Sequence, residues 1–224
     1  NNNGDKTMAI NRVSPQAEKS TSTIEYTNVA EGEHEGRLVY VADLGLQERN
    51  FAGEEKPPAQ QLSLGIELVG QVQTLSDGGT LPRILWSKPF NIFQTMNERG
   101  NEYKYYKMFV PTARDGEVAD WDSVLGMPIN VVVSHSKSGD RTYDNISSMS
   151  SIPSKYQEQV AKAETTQMSV GDAEDENNVA TKAMFGLVKY LHDKRVNGPV
   201  AEKSTPVKAK AVADTEFAEE DIPF

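Results

Sequence analysis

Leu62, Leu64, Ile66 and Leu68 alternate with Ser63, Gly65 and Glu67, and this period of two predicts a half-buried strand over 61–69. Upstream, Leu38-Val39-Tyr40-Val41-Ala42 forms an apolar run, β-branched and aromatic at its centre, so 36–45 also reads as a strand. A polar connector with Gly53 and Pro57-Pro58 separates the two. After an Asp77-Gly78-Gly79 turn, Arg83-Ile84-Leu85-Trp86-Ser87 begins a third strand. The clearest buried strand is Ile129-Asn130-Val131-Val132-Val133-Ser134-His135. Ser136-Lys137-Ser138-Gly139-Asp140 then turns the chain back into 141–146 as a hairpin, and regular β structure is expected to end near Pro153.

Two segments carry a helical period. Residues 101–109 alternate well enough for a strand. Yet Tyr105, Met108 and Phe109 also share one helical face behind Asn101 as N-cap, and a short helix is the favoured reading. Ala180, Ala183, Met184, Leu187, Val188 and Leu191 then recur at helical spacing over about 178–195, with Gly186 as an internal weak point and Gly198-Pro199 as the stop. Such a stripe either packs back on the β domain, the commoner fate, or docks a partner. Five strands, a long insertion over 88–123 and a closing hairpin predict a mainly β fold. Its expected form is an OB-fold five-stranded Greek-key barrel with an insertion, one C-terminal amphipathic helix and disordered tails. The expected division is a flexible arm (1–30), the barrel (31–153), a helical extension (154–198), and a flexible linker with an acidic tip (199–224).

Composition narrows the function classes. The 224 residues include no cysteine, which removes disulfides, thiolate metal sites and cysteine nucleophiles together. The opening Asn1-Asn2-Asn3-Gly4-Asp5-Lys6 has no apolar signal character, Met8 offers an internal candidate start, and the longest apolar runs are strand-sized. The expectation is a soluble cytoplasmic protein with no membrane partner. A net charge of −10 argues at first against nucleic acid, because phosphate contacts need cations. Its distribution softens that objection. Five acids follow Lys210, four more lie within 172–176, and between Gly36 and Thr112 eight bases balance eight acids. Such a body suits stacking-assisted binding better than a purely electrostatic grip.

The chain closes on Glu219, Glu220, Asp221, Ile222, Pro223 and Phe224. An aromatic ring beside an α-carboxylate suits an apolar partner pocket rimmed by Arg or Lys, and Pro223 holds the tip extended. This ending resembles that of bacterial single-stranded DNA-binding proteins. The segments Val41-Ala42-Asp43-Leu44-Gly45-Leu46-Gln47-Glu48-Arg49-Asn50-Phe51, Lys56-Pro57-Pro58-Ala59-Gln60-Gln61-Leu62-Ser63-Leu64 and Leu125-Gly126-Met127-Pro128-Ile129 resemble bacteriophage single-stranded DNA-binding proteins of OB fold. The resemblance covers about 36–153 plus the tip. It implies a non-catalytic protein that protects exposed strands in replication, recombination and repair. Its tail would recruit replication proteins and compete with DNA for the basic groove, in a bacterial host cytoplasm if the chain is phage-encoded. The long insertion and the later helix depart from the cellular type, so oligomeric state does not carry over and self-association remains one partner reading.

Sequence-tolerant binding of single strands needs aromatic faces for bases and cations for phosphates. The candidates are Arg49, Phe51 and Lys56; Trp86, Lys88 and Phe90; Lys104, Tyr106 and Lys107; and Lys137, Arg141 and Tyr143. Against each stands a plainer reading: Trp86 and Tyr143 lie in strands, where aromatics more often fill a core, and most hairpin-tip charges are simply solvated. The acids of Asp115-Gly116-Glu117-Val118-Ala119-Asp120-Trp121-Asp122 suggest a magnesium-dependent nuclease, but nothing nearby resembles a general base and the spacing is not that of a calcium loop. His34, His135 and His192 are scattered singly, and no phosphate loop is present. A single-strand binder without cofactor or catalytic residues is therefore the leading reading. A replication adaptor with a protein-binding barrel is the alternative, and the nuclease comes third.

Overall fold

The computed structural model describes residues 24–25 and 27–196, without the side chains of Ile24, Glu25 and Phe51. Most of the expected arm and the whole of the 199–224 linker, with its Glu219–Phe224 tip, lie outside the described residues. The described chain is mainly β. Its strands are β1 (Ile24–Glu25), β2 (Gly32–Phe51), β3 (Glu54–Leu75), β4 (Thr80–Trp86), β5 (Phe90–Asn91), β6 (Pro128–Ser138), β7 (Arg141–Ser151) and β8 (Ser169–Val170). Helices are few and short: α1 (Asn101–Phe109), α2 (Ser154–Gln157), α3 (Val179–Ala183), α4 (Gly186–Asp193) and a 3₁₀ turn at Asp122–Val124.

The strands form one sheet in the order β1-β3-β2-β6-β7, with β4 and β5 also on β3, and β8 on β2. Every pairing is antiparallel except β8 with β2. β2 organises the sheet: its first residues pair with β6 (Gly32↔Val133 to Arg37↔Pro128) and the rest with β3 (Gly36↔Leu68 to Phe51↔Glu54). Gly36 sits where both neighbours close in, and a Cβ there would lie 2.5 Å from Ile66 Cγ2. Only glycine fits so tight a crossing. No ladder joins β4 to β7 among the described residues, so the sheet stays open by backbone pairing. The two strands nevertheless lie side by side, and Arg83 of β4 reaches Asp144 of β7 at 2.5 Å.

One face of the sheet carries Leu38, Val41, Leu62, Leu64, Ile66, Leu68, Ile129, Val131, Val133 and Ile146, which pack against Phe90, Tyr106, Phe109 and Trp121 of the insertion. The other face of β2 offers Val39, Tyr40, Ala42 and Leu44 to Ala180, Met184 and Val188 of the C-terminal extension. β2 is thus buried on both sides, which is why its sequence runs apolar without alternating. β3 differs from its expectation as a half-buried strand: Ser63 and Glu67 are buried too. The Ser63 hydroxyl donates to the Ser87 carbonyl, and the Glu67 carboxylate accepts the backbone N–H groups of Glu164 and Thr165. A polar residue can occupy an interior face when its partners come with it.

Three further expectations are corrected. The polar connector before β3 is a hairpin, turning at Ala52 and Gly53 with φ of 52° and 81°. Helix α1 forms as expected, but its N-cap is Gly100 with no side-chain cap, not Asn101. The single helix expected over 178–195 is two, broken after Met184, with Gly186 at φ +58° opening the second. The extension packs back on β2, as its apolar stripe suggests. No helix among the described residues is long and apolar enough to cross a membrane.

Candidate nucleic-acid interface

The β6–β7 hairpin turns tightly at Gly139 and Asp140, so its register is fixed to the tip: Ser138↔Arg141, Lys137↔Thr142, Ser136↔Tyr143 and His135↔Asp144. Residues two apart share a face of a strand. Arg141 and Tyr143 therefore leave β7 together, and both are exposed. Lys137, opposite Thr142, belongs to the other face, so the hairpin brings together two of its three candidates.

Beneath this face lies a polar cluster. The Asp144 side chain is fully buried and accepts hydrogen bonds from Asn28 Nδ2 (2.7 Å), the Val29 N–H (3.0 Å) and Arg83 Nη2 (2.5 Å). Burial alone would raise this carboxyl. The bonds from Asn28, Val29 and Arg83, with the Arg83 charge, instead hold it below the usual aspartate range. His135 Nε2 donates to the Val29 carbonyl at 2.8 Å, and its backbone N–H donates to Glu31 at 2.7 Å. Residues 28–31 are thus tied across β6 and β7, with Val29 in the main core, although the sequence placed most of 1–30 in a mobile arm. Asn28, Arg141, Thr142 and Tyr143 line a cleft of about 400 Å³ at this edge. Asn28 escaped sequence reasoning because it belongs to no periodic or motif-like segment, and Thr142 because, within the expected 141–146 strand, it is neither aromatic nor charged.

The hairpin between β2 and β3 supplies a second cationic point. Arg49 pairs directly with Lys56, two like charges face to face, a disfavoured arrangement in a sheet. Lys56 is partly neutralised by Glu54 at 2.7 Å, whereas Arg49 has no ion pair among the described residues. A phosphate between them would relieve the repulsion. Phe51 sits at the turn, but its side chain lies outside the described residues.

The remaining candidates divide. Lys88, Lys104 and Lys107 are exposed, and Lys107 donates to the Tyr103 hydroxyl at 2.9 Å while lying over its ring. Phe90 and Tyr106 are corrected: both are buried core residues, packed edge-on or tilted against Trp121, and present no face to a base. Their segments are amphipathic, so each aromatic turned inward as its neighbouring lysines turned out. Trp86 is half-buried. It stacks on Tyr40 (6.2 Å between ring centres, 20° between planes) and meets Phe185 edge-on at 6.5 Å, so it joins sheet to extension.

Three of the four acids of 115–122 are occupied locally: Asp115 accepts the Glu98 N–H, Glu117 the Arg114 N–H and Asp120 the Ser123 N–H. Among the described residues no group of three His, Asp or Glu is placed to hold a metal ion. Comparison with known proteins adds no assignment: no protein-family model matches the chain, and no curated protein matches it.

Proposed function

We propose that this protein is a non-catalytic binder of single-stranded DNA, built on a five-stranded Greek-key barrel of the OB type. In this reading β2, β3, β4, β6 and β7 are the barrel strands, and residues 88–123 are its insertion. The contact of β4 with β7, bridged by Arg83 and Asp144, stands in for the closing ladder. Barrels of this kind bind through loops and an exposed sheet face, which here are the β2–β3 and β6–β7 hairpins.

One observation carries the reading: an exposed aromatic and an exposed cation share the same face beside an open cleft, at Tyr143 and Arg141. A base stacks on the ring and its phosphate meets the guanidinium, the combination that single strands require. Arg49 and Lys56 extend the cationic track, while the acidic tip recruits replication and recombination proteins in the host cytoplasm. The adaptor alternative draws on a different surface: Phe185, Leu187 and Tyr190 of the α4 region are all exposed, a patch suited to a protein partner.

Fluorescence anisotropy of labelled poly-dT, at two salt concentrations and against a duplex of equal length, tests the proposal. Single strands should bind more tightly than duplex, and the salt dependence should be shallower than for a strongly basic protein, since few counterions are released. Equal affinity for single strand and duplex sinks the single-strand reading, and no binding at all favours the adaptor.

A further inference from the structure

The cleft at the β7 edge is more specific than a stacking platform, because one of its walls is an amide with a fixed orientation. Asn28 Nδ2 donates to the Thr142 carbonyl at 3.2 Å and to Asp144 Oδ1 at 2.7 Å. Both partners are acceptors, so the amide cannot be flipped without setting oxygen against oxygen, including one ionised oxygen. Asp144 is itself immobilised by Arg83 and the Val29 N–H, so the Asn28 side chain is held from two directions. Its two hydrogens are thereby used. Oδ1 has no hydrogen-bond partner among the described residues, on a residue that lines the cleft with Arg141, Thr142 and Tyr143. An acceptor held in place and unpartnered among the described residues, in a cleft that an exposed ring also lines, selects for a donor on whatever stacks there.

We propose that this cleft takes a single nucleotide and that Asn28 makes it prefer bases with an exocyclic amino group. The inference rests on the single-strand reading above and sharpens it. The base lies on Tyr143, its phosphate is met by Arg141, and its amino group donates to Asn28 Oδ1. Cytosine offers that donor at the rim of its ring. Thymine offers only N3–H, flanked by two carbonyls whose lone pairs repel an approaching acceptor. Ring size and stacking are nearly equal between the two pyrimidines, so a difference between them reports the hydrogen bond rather than the stack. Binding elsewhere along the strand stays sequence-tolerant, so the preference is modest.

The test compares oligonucleotides of equal length in dT, dC and 2-pyrimidinone, which is cytosine without its amino group, at neutral pH by fluorescence anisotropy. One neutral hydrogen bond predicts dC binding about three- to tenfold tighter than dT. The pyrimidinone strand should lose that gain. Asn28→Ala should bring the ratio of dC to dT affinity to about one, and that ratio, not the absolute affinity, is the readout. Because this variant also loosens the contact with Asp144, the pyrimidinone strand provides an arm in which the protein is untouched. Equal binding of dC and dT, or of dC and pyrimidinone, by the unaltered protein overturns the assignment of Asn28. Failure of every strand to bind, dT included, overturns the single-strand reading itself, so the two failures are distinguishable.

Discussion

Asp144 ties together three parts of the molecule: Asn28 and Val29 before β2, Arg83 on β4, and its own strand β7. Both members of the Arg83–Asp144 pair are almost completely buried, so removing either strands an uncompensated charge. Asp144→Ala should cost about 3–5 kcal/mol in denaturant unfolding, and a second change, Arg83→Met, should recover much of it. An additive double mutant would show that the pair is not coupled. The pH dependence has a defined sign. The folded carboxyl lies below its ordinary range, so its contribution is fully present above that range and fades as pH falls through the folded value. Thermal melts of the natural chain and Asp144→Asn should therefore differ most near neutrality and converge in acid, and a constant gap would exclude the carboxylate charge as the cause. Tyr143, one residue away but exposed, should behave in the opposite manner. Tyr143→Ala should leave the melt unchanged and weaken single-strand binding by about 1–3 kcal/mol, measured by anisotropy.

At the level of elements, the readable strands were those with a buried face. The alternation of Leu62 to Leu68 and the run Ile129 to His135 report burial directly, and both are strands. The outer half of the β2–β3 hairpin was read as a connector because its residues are mostly exposed and polar, leaving no period to detect. Pro57-Pro58 reinforced that reading. The register steps from Gln47↔Ala59 to Arg49↔Lys56, so both prolines sit opposite Glu48 in a bulge, where no ladder hydrogen bond is demanded of them. The 178–195 stripe was legible as amphipathic but not as broken, since Gly186 serves equally as a weak helical residue or a left-handed one. Substitution separates the two by sign. In a continuous helix Gly186→Ala would stabilise by about 1 kcal/mol. At φ +58° it should instead destabilise by about 1–2 kcal/mol, although open space surrounds the site, because the cost is backbone strain rather than a clash. A raised melting temperature for Gly186→Ala would mean that α3 and α4 form one helix in solution.

Across the whole molecule, the extension and the candidate interface use different strands of the sheet. α3 and α4 cover Val39, Ala42 and Leu44 and trap Trp86 between Tyr40 and Phe185, while the β6–β7 tip and its cleft remain open. This arrangement was illegible in the sequence, because which face an amphipathic helix covers depends on where the chain returns. Charge, by contrast, is read at once. The chain carries a net −10, yet its middle is neutral, and five acids lie beyond Lys210. Acids on a Pro- and Ala-containing tether act as a local competitor for any cationic surface, and their competition is screened once the Debye length falls below the separation of the charges. Deleting residues 214–224 should therefore raise affinity for poly-dT at low salt, with the gain shrinking as salt increases. Arg49→Ala in the same background tests where the competition occurs. If the acids compete at the Arg49–Lys56 pair, the gain from the deletion should be smaller in that variant than in the natural chain. A tail deletion that lowers DNA affinity in a protein with an unchanged melt would instead make the acidic segment part of the binding surface rather than its competitor.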